Sequence, residues 1–250
     1  MKINKEILIK LAQANINEYG GEYGDYKQVF DLLEKNAVDN VQWSFAENRK
    51  ELGVLYIIVR GSDEGMDWKQ NLRFRNLPII KFFTKEEKKT TPYKNVNSKI
   101  RTHIGFTIDY KKIRDSLLKR VKSGNYKTII LTAHSKGSSI STLAAVDIQF
   151  HFPGLEIINI PMASPRIGNK EFVESYDKRV PRTLRIVNGE DYITKIPFVS
   201  WGYRHVGTLL KIGKLNPFCW IPVFRAFGSF YHYPKKYLEN IKKLSDDFLF

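Results

Sequence analysis

Cysteine is almost absent: Cys219 is the single one in 250 residues. That excludes an internal disulfide framework and any cysteine-rich metal site, and it suits a reducing compartment without requiring one. No apolar run reaches the roughly 20 residues needed to cross a bilayer. Met1 to Lys10 carries charge throughout and lacks the uninterrupted apolar stretch of a secretory leader. These absences give a cytoplasmic location as the expectation, with peripheral membrane contact left open. Acidic residues are scarce too, 26 against 41 lysines and arginines, for a net charge of +15. Such a surplus attracts nucleic acid, an acidic substrate or an anionic membrane surface. No helix-turn-helix or zinc-finger pattern accompanies it, so no specific nucleic-acid partner is expected. The competing reading of the charge is a lysine-rich solvated surface.

With 42% hydrophobic content, the chain can bury a large core and fits a single α/β domain over residues 1–250. Ile3, Ile7, Leu8, Leu11 and Ala14 share one face of a helix over residues 3–18, and residues 26–37 read as a second helix. Residues 41–46 and 52–59 follow as strands around the polar turn Glu47-Asn48-Arg49-Lys50. The second strand runs into Arg60-Gly61-Ser62, where glycine lets the backbone approach a reacting centre. The Ser62 N–H is thus a candidate oxyanion donor, with an ordinary turn as the alternative. Residues 63–99 form an irregular insertion that mixes Trp68, Phe74, Phe82, Phe83 and Tyr93 with many cations. It is either a mobile cover over a site or a surface loop with a short helix. Residues 104–121 then read as an amphipathic helix covering one sheet face.

The richest stretch is residues 128–147. Thr128 to Thr132 is a β-branched and apolar run without polar alternation, as in a buried central strand, and Ile140, Leu143, Ala144 and Ile148 have helical spacing. Between them lies Ala133-His134-Ser135-Lys136-Gly137, a small-x-Ser-x-Gly turn. Such a turn holds a serine on a strained backbone with its hydroxyl above the sheet, and the following helix aims free N–H groups beside it. Ser135 is the candidate nucleophile and Lys136 N–H the second candidate oxyanion donor. The plain alternative is a strand-turn-helix with a capping serine.

Downstream, residues 155–160 and 181–187 are further strands, and the second leads into Asn188-Gly189-Glu190-Asp191. That places a carboxylate at the ligand-binding edge of an α/β sheet. His205 and His232 follow, completing the Ser, Asp, His order of α/β-hydrolase triads with two candidates for the base. His134 is expected beneath the turn, and His103 and His151 to be structural or exposed.

Val59-Arg-Gly-Ser62 with Asp67-Trp68, His103-Ile-Gly-Phe106 with Tyr110, Thr132 to Gly137, Ala163-Ser-Pro-Arg-Ile-Gly-Asn169, Arg185 to Asp191 with Pro197, Gly202 to Gly207, and His232-Tyr233 occur in order across residues 50–235. Together they resemble the class 3 (fungal-type) lipase family of α/β-hydrolases. The resemblance implies a mostly parallel sheet flanked by helices, with Ser135 as nucleophile, Asp191 as acid and His232 as base. It further implies oxyanion N–H groups from Ser62 and Lys136, a lid beginning at Ser62, and His205 near the triad without belonging to it. The chemistry implied is carboxylic ester hydrolysis on lipids through an acyl-enzyme, needing no metal or organic cofactor. A small-ester or thioester hydrolase of the same fold, and an inactive module binding anionic membrane or protein, are the alternatives. No residue pattern fixes an oligomeric state. Around the serine the family usually has Gly-His-Ser-Leu-Gly-Gly, where this chain has Ala133, Lys136 and Ser138. The Lys136 cation is expected either to favour an anionic substrate or to point into water. Residues 215–233, rich in Phe, Trp and Tyr, read as a lipid–water boundary segment or a buried aromatic cluster.

Overall fold

The computed structural model describes residues 1–20, 28–61, 76–79, 99–214 and 228–250. In chain order these form α1 (Lys5–Glu18), β1 (Leu32–Val38), β2 (Val41–Glu47), β3 (Val54–Val59), β4 (Asn76–Pro78), β5 (Arg101–His103), α2 (Ile104–Ser123), β6 (Thr128–His134), α3 (Lys136–His151), β7 (Glu156–Met162), α4 (Lys170–Arg179) and β8 (Leu184–Asn188). Two 3-10 turns (Tyr192–Lys195 and Val199–Trp201), β9 (Thr208–Ile212), α5 (Gly228–His232) and α6 (Pro234–Ile241) complete the series.

Seven strands form one sheet in the order β1-β2-β3-β6-β7-β8-β9, with β6 at its centre. β1 to β3 pair antiparallel, and from β3 onward every pairing is parallel. The central strands are apolar on both faces because each face has its own helices. Leu55, Ile57 and Val59 of β3 and Ile129, Leu131 and Ala133 of β6 pack with Phe106, Ile113 and Leu117 of α2 and Ile140 and Leu143 of α3. The alternate residues Tyr56, Ile58, Ile130, Ile158 and Ile160 face Leu8 and Leu11 of α1 and Tyr237 and Ile241 of α6. Both sets are almost fully buried, and each such side chain contributes about 1.5–3 kcal/mol of burial. This two-sided burial is why the strands read as continuous apolar runs.

Several helices are stopped and started by side chains. Asn4 caps α1 by accepting from Ile7 N, and Asn169 caps α4 through Phe172 N. His103 is 1% exposed and caps α2, its Nδ1 accepting from Gly105 N and Phe106 N. It is therefore structural. His151, the last residue of α3, pairs with Asp147.

One expected helix is a strand. Residues 28–38 carry no helix: β1 pairs along its whole length with β2 through a turn at Asp39-Asn40, with Asp39 at φ 50°. β1 is an edge strand, exposed over most of its length. Its apolar residues Leu32, Leu33, Ala37 and Val38 are too few to impose the period-2 pattern that marks a half-buried strand. The rest of that expected helix, residues 26–27, lies outside the described residues. So does nearly all of the 63–99 insertion, whose described part includes β4, paired antiparallel with β5.

α3 crosses the end of β3 at very short range. A Cβ on Gly137 would stand 2.4 Å from Val59 O and 2.6 Å from Arg60 O. Backbone atoms at the end of a buried strand cannot step aside, so Gly137→Ala should lower stability by about 1–3 kcal/mol, although alanine is the better helix former. Urea denaturation reads this directly, and an unchanged midpoint would remove the steric account.

Candidate active site

The carboxyl ends of β3, β6, β7 and β8 place Gly61, Ser135, Ala163 and Asp191 along one edge of the sheet. Ser135 has φ 58° and ψ −130°, a conformation that L-residues rarely hold. The surroundings impose it. Ser135 N donates to Met162 O at 3.0 Å, and Ser138 N donates back to Ser135 O at 3.0 Å. Ser138 Oγ lies 2.7 Å from Met162 O and 3.0 Å from Ala133 O, so its one proton is shared between the two carbonyls flanking the turn. Ala133 is fully buried, and its single methyl group is accommodated.

Gly61 presses against the same turn. A Cβ there would come 2.2 Å from Tyr19 Oη, 2.8 Å from His134 O and 3.2 Å from Ser135 Cβ. Only a glycine lets the Arg60-Gly61 backbone come this near the serine. Ser62, the expected first oxyanion donor, lies outside the described residues. Lys136 is the first residue of α3, so its N–H has no intrahelical acceptor and projects beside Ser135.

The structure brings three of the predicted residues into one hydrogen-bonded series. His232 Nε2 is 2.9 Å from Ser135 Oγ, and His232 Nδ1 is 3.0 and 3.1 Å from the two Asp191 oxygens. A carboxylate only accepts, so Nδ1 carries the proton and Nε2 is left to accept from the serine hydroxyl. Asp191 is fully buried and well supplied with donors: besides His232 it accepts from Ile193 N at 2.9 Å and Tyr237 Oη at 2.6 Å. Burial and the Asp191 charge push the Tyr237 phenol far above its ordinary pKa, which keeps it a donor. The histidine segment is tied to β8, with Asn188 Nδ2 donating to Tyr231 O at 2.9 Å and Asn240 Nδ2 donating to Asn188 Oδ1 at 2.8 Å. Gly189, at φ +49°, makes room for the Tyr231 ring, which a Cβ would meet at 2.5 Å.

His205 is placed elsewhere. Its Nε2 donates to Thr194 O at 2.7 Å, and burial with the Arg185 guanidinium lowers its pKa to about 3. It is a neutral tether for the segment after Asp191, which Arg166 also grips by donating to Pro197 O at 2.9 Å. His134 lies beneath the turn as expected. Its Nδ1 is 3.2 Å from Tyr19 Oη, its ring centroid is 4.7 Å from that of His232, and burial holds its pKa well below normal.

Lys136 differs from both expectations for its side chain. It is 2% exposed, and Nζ is 3.3 Å from Asp109 Oδ2 of α2. It does not reach water, and the charge it meets is the buried Asp109 carboxylate. Tyr237, Tyr19 and Asp109 were invisible to motif reading, since each meets a partner far from it in sequence: Asp191, His134 and Lys136.

The class 3 lipase family profile matches residues 56–201, more than half of the chain. The chain belongs to the class 3 lipase family. Among relatives within reach of this lipase family, a secreted mono- and diacylglycerol lipase of Malassezia globosa is 30% identical over 121 residues, covering 46% of this chain and 40% of that protein. A chloroplastic phospholipase A(1) of Arabidopsis thaliana is 41% identical over 95 residues, covering 38% of this chain and 21% of that protein. The matched region thus spans less than half the length of these curated relatives. Among solved structures, Rhizomucor miehei lipase in its propeptide complex superposes with a TM-score of 0.66 at 20% identity, covering 83% of this chain and 68% of that one. A lipase from Rhizopus microsporus var. chinensis gives a TM-score of 0.67 at 19% identity, covering 84% and 76%. The fold is that of the α/β-hydrolases.

These relatives overturn the expected cytoplasmic location, because the fungal ones are named as secreted lipases. That expectation leaned on the charged residues of Met1 to Lys10 and on the single cysteine, while the apolar Ile3 and Leu8 of the same stretch are core positions.

The pH dependence of stability follows from His205. With a folded pKa near 3 and an unfolded value near 6.5, the unfolded chain binds the extra proton between these limits. The contribution is complete above about pH 6.5 and is lost as pH falls toward 3. His205→Gln, which keeps a donor for Thr194 O, should flatten the decline of stability below pH 6.5 by at most about 1.4 kcal/mol per pH unit. Denaturation midpoints at pH 7, 6, 5 and 4 provide the check, with parallel profiles counting against it.

Proposed function

We propose that this protein hydrolyses carboxylic esters of lipids through an acyl-enzyme, with Ser135 as nucleophile, His232 as general base and Asp191 as the orienting acid. The observation that carries the reading is the Asp191–His232–Ser135 series on a strained strand-to-helix turn. Ser135 Oγ attacks the ester carbonyl while His232 Nε2 takes its proton, and the imidazolium then protonates the departing alcohol. Asp191, held by Tyr237 and Ile193 N, fixes the tautomer and stabilises the imidazolium. The Lys136 N–H and the helix end it heads receive the tetrahedral oxyanion, with Ser62 N–H as the proposed partner donor. Water, deprotonated by the same imidazole, releases the acid.

A lipid ester is favoured over a small soluble one by what surrounds the triad. Tyr192 directly follows Asp191 and Phe230 shortly precedes His232, and they are 38% and 50% exposed. Phe198, Val199 and Trp201, on the segment that Arg166 and His205 tether, are 39%, 46% and 44% exposed. Exposed apolar groups on the segments that follow Asp191 and precede His232, on a chain of net charge +15, suit an anionic lipid interface. The relatives named as lipases and a phospholipase A(1) support the same substrate class.

Ser135→Ala is expected to abolish fluorophosphonate labelling and reduce ester turnover about 10⁴-fold or more, with the fold unchanged. His232→Ala should do the same. Full activity in Ser135→Ala would end the serine-hydrolase reading. Binding to vesicles at low salt should be stronger for anionic than for neutral lipid, and added salt should shrink the difference. Equal binding to the two would remove the electrostatic part.

A further inference from the structure

The ammonium beside the nucleophile is buried, and the reaction just described does not use it. Lys136 is 2% exposed and Asp109 is 5% exposed, with 3.3 Å between Nζ and Oδ2. Nζ makes no directed hydrogen bond among the described residues. Asp109 is shared: its Oδ1 lies 3.2 Å from Lys112 Nζ, which is 3.3 Å from Asp39 Oδ2 and donates to Asn40 Oδ1 at 3.2 Å. A line of alternating charges therefore runs from the β1–β2 turn, through α2, to the first residue of α3.

Desolvating a lysine is costly, and an apolar side chain packed between two helices would avoid the cost. A buried ion pair is therefore a poor stabiliser here, but it resists sliding and rotation, since moving either partner leaves the other buried and unpaired. The residue it fixes is the one whose N–H heads α3 next to Ser135.

We propose that the Lys136 side chain is a positioning residue: its ion pair with Asp109 holds the first turn of α3 in register, so that Lys136 N–H stays aimed at the oxyanion. This rests on the reading of Ser135 as nucleophile. The oxyanion exists only after attack, so a displaced donor slows the chemical step and leaves ground-state binding intact.

The test uses the full chain and a short soluble p-nitrophenyl ester, with fluorophosphonate labelling in parallel. Lys136→Met should lower kcat about 10- to 100-fold with KM within about twofold. Lys136→Arg, which keeps the charge, should recover much of the loss. Asp109→Asn should resemble Lys136→Met, and the double variant should be no slower than either single one, because both remove the same constraint. A Lys136→Met enzyme with wild-type kcat, or one that differs only in melting temperature, overturns the proposal. So does Lys136→Arg behaving like Lys136→Met in kcat while melting like wild type. If Lys136→Met fails to fold, Asp109→Asn, which leaves Lys112 paired to Asp39, decides alone: wild-type kcat there also overturns the role. A wild-type protein that shows no Ser135-dependent labelling overturns the serine-hydrolase reading and this role together, whereas normal labelling with unaltered variants overturns this role only.

Discussion

The φ 58°, ψ −130° backbone of Ser135 is the constraint to which its neighbours are fitted. Serine does not rest there unaided, so the turn must be gripped from several directions. Met162 O on β7 accepts both Ser135 N and the Ser138 hydroxyl, while glycines at 61 and 137 remove the Cβ atoms that would hold the Arg60-Gly61 backbone and α3 apart. The gain is positional. The hydroxyl stands above the sheet, the first N–H of α3 opens beside it, and His232 meets it at hydrogen-bonding distance.

Asp191 and His232 reach the serine from a different part of the molecule. Asp191 lies three residues past the end of β8, His232 ends α5, and Asn188 links the two segments by accepting from Asn240 and donating to Tyr231 O. Asp191 is completely enclosed, a place where an unpaired carboxylate is expensive. Three donors offset that cost, and one of them is the imidazole it orients. Tyr237 supplies a hydrogen bond that competes with no proton transfer, because burial beside a carboxylate keeps its phenol from ionising.

Much of this was legible in the chain. The two-sided burial of β3, β6 and β7 left uninterrupted apolar runs, and the turn between β6 and α3 left small residues at 133, 137 and 138. The order Ser, Asp, His was legible as well, with His205 and His232 both open as the third member until the family resemblance pointed to His232. What could not be read had physical causes. β1 is an exposed edge strand whose identity comes from its ladder with β2, so its own side chains say little. Tyr19, Asp109 and Tyr237 act across long sequence separations from helices whose periodicity records only core packing. Lys136 read as a cation either facing an anionic substrate or pointing into water, because lysine is seldom fully buried. Its burial depends on Asp109 standing opposite, which no local pattern reveals. The charge of the first ten residues says nothing of compartment, as the fungal relatives named as secreted show.

Two helices on the same face of the sheet each deliver a phenol to the site's underside: α1 ends at Tyr19, against His134 and Gly61, and α6 carries Tyr237 to Asp191. α1 and α6 pack on one another as well as on the sheet. That layer forms one half of the sheet's core, opposite the α2–α3 layer on the other face. Because α1 and α6 also bury Tyr56, Ile130 and Ile160, any change that loosens their packing reaches the sheet core and both phenols together.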